Sequence, residues 1–251
     1  MKLATWNVNS LKVRLPRVLE FLAKHAPDVL CLQETKCAAD AFPHAELGGV
    51  GYSAAEYSAG RWAGVAILAP EGATFGGVTR GLPGESDSTE ARYLEAEVAG
   101  VRVASTYVPN GRALGTPHFE SKLAFLDALA GRAPEIDVLM GDLNVTRADI
   151  DVYDPHAFVG STHVTTEERQ RLERLMGAGL RDAYREVHPD EIGFTWWDYR
   201  QGHFHRKMGL RIDYALVRDP LSGSLRSCGI DRDFRKGTKP SDHAPLLAEV
   251  S

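Results

Sequence analysis

The chain has 251 residues, 43% of them hydrophobic and 25% charged, proportions that suit one large globular domain over residues 1–251 and exclude a disordered or fibrous chain. Its net charge of −5 argues, taken as a sum, against a nucleic-acid partner, because phosphate contacts need Lys and Arg. No run of about 18 apolar residues is present to span a bilayer. The three cysteines, Cys31, Cys37 and Cys228, form neither a metal-binding pair nor an even disulfide framework. With no secretory stretch at the start, a reduced, cytoplasmic, membrane-free protein is expected.

In chain order, "MKLATWNVN" and "DVLCLQET" read as strands. Between them "RLPRVLEFLAKH" has helical spacing, with Pro16 in its first turn. "AGVAILAP", "ARYLEAEVAG" and "VRVASTYVPN" read as strands, the last two joined by a hairpin at Ala99-Gly100. "PHFESKLAFLDALAGRA" is a helix and "IDVLMGDLN" a buried strand. "TTEERQRLERLMGAG" is a second clear helix, with a capping box from Thr165 to Glu168 and Leu172, Leu175 and Met176 on one face. "GFTWWDYR", "LRIDYALV", "SLRSCGID" and "PLLAEV" complete the chain as strands. Strands that often follow one another directly predict packed, largely antiparallel sheets with helices outside.

Several of these strands run out into short polar clusters. They deliver Asn7, Glu34, Tyr107 with Asn110, Asp142 with Asn144, Asp213, and Asp242 with His243. Each cluster alone has a plain reading as a local turn or cap. Together they offer carboxylates, amides, a phenol and one imidazole, a set suited to a hard cation such as Mg²⁺ or Mn²⁺ rather than structural zinc. The spacing in Asp142-x-Asn144 places both side chains on one face of an extended segment, where both could address one phosphate or water. Asp242 and His243, adjacent in extended chain, point apart, so each needs a partner from elsewhere. Basic runs flank these clusters: "RQGHFHRKMGLR" from Arg200 carries four Lys or Arg, two His and no acid, and "RDFRKGTK" from Arg232 four bases against one acid.

"WNVN", "LQETK", "YVPN", "GDLN", "GLRIDY" and "SDHAP", in this order over nearly all of the chain, resemble the exonuclease III family of abasic-site endonucleases, within the endonuclease, exonuclease and phosphatase superfamily. The resemblance implies an α/β fold: a four-layer α/β sandwich, deoxyribonuclease-like, with two packed mainly antiparallel sheets flanked by helices. It implies a monomer whose partner is duplex DNA containing abasic sites or 3′ ends, cut in a Mg²⁺-dependent way 5′ to the abasic site. A 3′-to-5′ exonuclease activity and 3′-end cleaning are implied with it.

By matching position, the resemblance implies that Glu34 would be the principal metal ligand, with Asn7 and Asp242 close to the metal or its waters and Asp142, Asn144 and His243 bordering it. Asp142 would position and deprotonate the attacking water, with Asn144 helping to hold it. Tyr107 and His243 would contact the phosphate, and Asp213 would orient His243. Trp196, Leu210, Arg211 and Ile212 match the loop that meets DNA beside the lesion, and Asn110 and Arg112 are further DNA contacts. The chain departs from the pattern in "NSLK" after the first motif, where many members have "NGLR", and in Leu210, where animal members have tryptophan. Its first residues already read as the first strand, so an N-terminal extension like that of animal members is not expected. Two competing readings are a small-molecule or lipid phosphoesterase of the same superfamily and a non-catalytic DNA-binding module.

Overall fold

The computed structural model describes residues 1–85 and 88–251. Twelve strands are found among these: β1 Lys2–Asn7, β2 Val29–Gln33, β3 Tyr52–Tyr57, β4 Val65–Pro70, β5 Gly76–Arg80, β6 Tyr93–Val98, β7 Val101–Tyr107, β8 Val138–Asp142, β9 Leu180–Asp182, β10 Asp213–Arg218, β11 Leu225–Ile230 and β12 Leu246–Val250. The helices are α1 Leu11–His25, α2 His44–Gly48, α3 Pro117–Arg132, α4 Thr166–Gly177 and α5 Ala183–Val187. The strands form two six-stranded sheets, ordered β11-β12-β1-β2-β4-β3 and β5-β6-β7-β8-β10-β9. β1–β2 and β7–β8 pair in parallel; the neighbours of these pairs, such as β1–β12, β8–β10 and β6–β7, are antiparallel.

The period of two along each strand explains the layering. On β4, Val65, Ile67 and Ala69 enter the core between the sheets, while Ala66 and Leu68 face outward to meet Leu11, Val18, Phe21 and Leu22 of α1. On β8 and β10, Val138, Met140, Ala215 and Val217 point inward. Leu139, Tyr214 and Leu216 of the same strands face Phe125, Leu126 and Leu129 of α3 and Leu172, Leu175 and Met176 of α4. Strands buried on both faces read as continuous apolar runs rather than alternating ones. The expected four-layer sandwich is what the chain forms.

Local differences have local causes. Helix α1 starts at Leu11, so Pro16 lies inside it. The early start is set by Ser10 and Leu11, whose N–H groups donate to the carbonyls of Glu34 (2.7 Å) and Thr35 (2.9 Å). "GFTWWDYR" is not a strand. Its strand-type pairing is limited to isolated bridges from Trp196 to Leu210 and His243. The Thr165–Glu168 capping box opens α4 as expected.

Candidate active site

The parallel pairs fix where the polar strand ends meet. β1 and β2 run out side by side, with Asn7 opposite Gln33, and β7 and β8 do the same in the other sheet, with Tyr107 opposite Asp142. β10 enters from the opposite direction, so its first residue, Asp213, pairs with Asp142. The inter-sheet core turns polar toward this end: Thr5 Oγ1 donates to Gln33 Oε1 (3.2 Å), and Gln33 Nε2 to Ser105 Oγ of the facing sheet (3.1 Å). Gly141 permits the crowding just before Asp142. Its φ is +152°, and a Cβ there would lie 1.9 Å from the Thr106 carbonyl oxygen.

Asn7 bridges the carboxylates: its Nδ2 donates to Glu34 Oε1 (2.7 Å) and Asp142 Oδ2 (2.9 Å). Ligand atoms of Glu34, Asp142 and His243 lie within 4.8 Å of one another, so two carboxylates and an imidazole nitrogen could hold a divalent cation. Lys36 Nζ pairs with Glu34 Oε2 at 2.6 Å and also donates to Asn9 Oδ1. His243 meets Asp213, not its chain neighbour: Nδ1 to Asp213 Oδ2 is 2.8 Å, and Nε2 lies 3.7 Å from Asp142 Oδ2. Burial alone would push the imidazole down, but the Asp213 and Asp142 carboxylates raise it to about 10. Asp142 is pushed up to about 7 by burial, which outweighs the opposing charge of His243, with Asp213 adding to the rise. Burial first, then the charges of Glu34 and Asp142, raise Tyr107 and keep its phenol a donor.

Other expected site residues take different positions. Asp242 turns away from the trio. Its Oδ1 accepts from Asn9 Nδ2 (3.0 Å) and its Oδ2 from Trp196 Nε1 (3.1 Å), so it does not join the clustered ligand atoms. Beyond Asp142 the strand β8 ends. The chain leaves the extended form with φ +51° at Asn144, the Asn144 N–H donates to Asp142 Oδ1 (2.9 Å), and its Nδ2 to the Val108 carbonyl (2.9 Å). A tight Asx turn has replaced the alternation assumed for a strand. Asn144 thus holds Asp142 by its backbone, while its side-chain amide is bonded to Val108 and lies beside His163.

Asn110 and Arg112 are exposed, with the Arg112 N–H donating to Asn110 Oδ1 and its Nη1 2.9 Å from His118 Nε2. A cavity of about 650 Å³ opens beside the site, lined by Glu34, Lys36, Trp62, Tyr107, Asn110 and Arg112 among others. Trp62, 66% exposed, lies along it.

The expected lesion-side residues are largely covered. Leu210 and Ile212 are 1% and 2% exposed and pack with Val152, while Phe158, Val164 and half-buried Trp196 lie against them. Trp197 is a core aromatic, edge-on to Phe204. Arg211 cannot be a DNA contact in this fold. Its guanidinium is fully buried, paired with Asp151 (2.8 Å) and Asp182 (2.8 Å) and stacked 4.7 Å from the Tyr214 ring. Replacing one partner of a buried ionic set leaves uncompensated charge. Arg211→Met is therefore expected to cost about 3–5 kcal/mol of stability, read by urea unfolding. A loss below about 1 kcal/mol would show the two carboxylates do not depend on it.

Two side chains that sequence reasoning passed over belong to the site. His163, with φ +83°, places Nε2 3.1 Å from Asn144 Oδ1 and 3.3 Å from Asn110 Nδ2. Burial, then the charge of Lys122, lowers it to about 3, so the imidazole is neutral. It lies in a loop, "GSTHV", where no strand-end signal marks it. Lys122 lies beneath the same loops, inside a helix whose pattern gave no hint of a buried charge.

Residues 4–243 match the Endonuclease/Exonuclease/phosphatase family. The chain is 32% identical over 267 aligned positions to exodeoxyribonuclease III of Haemophilus influenzae, covering 99% of each protein. Among solved structures it is similar to the 3′ phosphatase NExo from Neisseria bound to product DNA hairpin, with TM-score 0.96, 40% identity and 100% and 99% of the two chains covered. It is similar also to an AP endonuclease from Archaeoglobus fulgidus, with TM-score 0.95, 34% identity and 100% and 99% covered. With six ordered motifs converging on one carboxylate and imidazole site, the chain belongs to the endonuclease/exonuclease/phosphatase family, as a DNA-repair nuclease of its exonuclease III and AP endonuclease branch.

Proposed function

We propose that the chain hydrolyses phosphodiester and 3′-phosphate linkages of duplex DNA with Mg²⁺, which Mn²⁺ could replace, acting on abasic sites from their 5′ side and on 3′ ends. The observation that carries this reading is the meeting of Glu34, Asp142 and His243 within 4.8 Å, with Asp213 bonded to the far side of the imidazole. A cation held by the Glu34 and Asp142 carboxylates would neutralise the phosphate and lower the barrier for attack by water, leaving His243 Nε2 to carry a proton. Asp142, poised near neutrality, accepts the proton of the attacking water. His243, oriented by Asp213, donates to the phosphate oxygen as charge builds there. Tyr107 offers a second donor from β7, and Asn7 keeps Glu34 and Asp142 at a fixed separation. Asp242 acts from further out, through Asn9 and the Trp196 indole. Asn110, Arg112 and the basic loop from Arg200 would carry the DNA backbone, and the likeness to a nuclease bound to product DNA supports DNA as the partner.

A second reading, in which 3′ ends are preferred to abasic sites, is favoured by one observation. Leu210, Ile212 and Val152 close on one another with at most 5% exposure, so a sugar without a base finds no ready cavity between them, whereas a frayed 3′ end needs none. One experiment addresses both readings. Three duplexes, carrying an abasic site, a recessed 3′ hydroxyl end and a nick with a 3′ phosphate, are incubated with Mg²⁺ and with EDTA, beside an inositol phosphate. Cleavage of DNA only with the metal is the expected result, with both 3′-end substrates turned over faster than the abasic one. Equal activity in EDTA, or turnover of the inositol phosphate alone, would overturn the main reading; faster abasic incision would overturn the second.

A further inference from the structure

Lys122 lies on α3 with its side chain fully buried, a state lysine almost never adopts unless paired. Its ammonium donates to the carbonyl of Asn144 (2.6 Å), the hydroxyl of Thr162 (3.0 Å), the carbonyl of Asn110 (3.3 Å) and the carboxylate of Glu168. Glu168 is also fully buried, and its two oxygens divide their work. Oε2 completes the capping box, accepting from Thr165 N (3.0 Å) and Thr165 Oγ1 (2.8 Å). Oε1 accepts from Thr162 Oγ1 (2.7 Å), His163 N (2.9 Å) and Lys122. Capping α4 needs only the first set.

The second set gathers three separate loops. Asn110 follows β7, Asn144 follows β8, and Thr162 and His163 precede α4. The side chains of Asn110, His163 and Asn144 form a row on the outer side of this knot, with the imidazole within 3.3 Å of both amides. The main chain is left-handed at Asn144 (φ +51°), His163 (φ +83°) and Arg112 (φ +54°), a conformation that persists only where surroundings enforce it. Gly111 is shaped to the same end: its φ is +86°, and a Cβ there would lie 2.9 Å from Lys122 Cδ. A buried ion pair serving stability alone could be replaced by apolar side chains at little cost. Such a replacement would leave the two loop carbonyls without their shared donor.

We propose that Lys122, with Glu168 as its counterion, is a positioning residue for hydrolysis at this site: its ammonium ties the main chains of Asn110 and Asn144 together and so fixes the Asn110–His163–Asn144 row beside Asp142. This rests on the hydrolytic reading given above. Lys122 touches no reacting atom. It acts by holding the turn whose N–H fixes Asp142.

The test compares Glu168→Gln with the double variant Lys122→Met/Glu168→Gln in the full chain, measuring the unfolding midpoint, and kcat and KM on whichever DNA substrate the wild type cleaves, well below both midpoints. Glu168→Gln strands a buried ammonium, whereas the double variant removes both charges, so the double variant is expected to be the more stable of the two. Activity is expected in the reverse order. The double variant should lose about tenfold or more in kcat with KM changed less than about threefold, and Glu168→Gln should lose less. If kcat instead follows stability in the two variants, or the double variant keeps wild-type kcat, the proposal is overturned. Should the double variant fail to fold, Lys122→Gln decides in its place: kcat lowered about tenfold or more with KM changed less than about threefold supports the proposal, and wild-type kcat overturns it. The side-chain amide resonances of Asn110 and Asn144 give a readout independent of activity. In the double variant they are expected to shift or broaden while that of Asn7 does not; unmoved resonances would overturn the proposal even if the wild type cleaved none of the substrates, an outcome that would sink the hydrolytic reading by itself.

Discussion

Replacing Asp142 by asparagine is expected to lower kcat by about a thousandfold or more, since one substitution removes a proton acceptor and a member of the candidate metal trio together. The fold should survive it. Asp142 accepts from Asn7 and from the Asn144 N–H, and an amide can keep the second of these bonds. Stability should move opposite to activity. A carboxyl raised to about 7 in the fold binds its proton more tightly folded than unfolded, where it titrates at about 3.9. The native state therefore loses stability as pH climbs from about 4 through about 7. The Asp142→Asn variant is free of that loss. In EDTA at pH 8 it should thus be at least as stable as the wild type, with any advantage gone below about pH 4. A kcat within tenfold of wild type would remove Asp142 from the chemistry, and a variant less stable at pH 8 would contradict its unfavourable burial.

The second expected result concerns Asp213 and His243, which should behave as one unit. His243→Asn is expected to cost about 10²–10⁴-fold in kcat, and Asp213→Asn somewhat less. The double variant should be no worse than His243→Asn alone, because the carboxylate acts through the ring it orients. Losses that simply add would mean that Asp213 has a separate task. The charged state gives an independent check. With Asp213 in place the metal-free imidazole is raised to about 10, so it stays protonated throughout the neutral range. In Asp213→Asn its ring-proton resonances should titrate well below that value, because burial, the largest opposing effect, favours the neutral form. An unchanged titration would show that Asp142, the other carboxylate near the ring, suffices.

The layered fold and the residues of its catalytic edge are readable in the sequence for a single reason. Parallel pairing of β1 with β2 and of β7 with β8 makes apolar runs end together, so the polar residues that follow them gather at one place. What escaped is what depends on contacts distant in sequence. Arg211 looks like a loop cation until Asp151 and Asp182, from two other segments, are seen to close on it. Asn144 looks like a strand neighbour of Asp142 until the Asx turn reverses the chain. β3, "YSAAEY", is too poor in branched residues to announce itself, and the aromatic "GFTWWDYR" announces a strand that irregular bridges prevent. His163 and Lys122 carry no local signal, since both are given their positions by loops that only folding brings together.

Left-handed backbone recurs at the site. Of the thirteen non-glycine residues with positive φ among the described ones, six, Asn9, Glu34, Lys36, Arg112, Asn144 and His163, lie at the site or directly beside it. Each such residue raises the energy of the native state by about 1–3 kcal/mol, and glycine would relieve most of it. Heat-based selection of a mutant library should therefore enrich glycine at these codons, and the survivors should be sturdier proteins that are poorer enzymes. At these six positions the conflict between thermostability and turnover can be stated in advance.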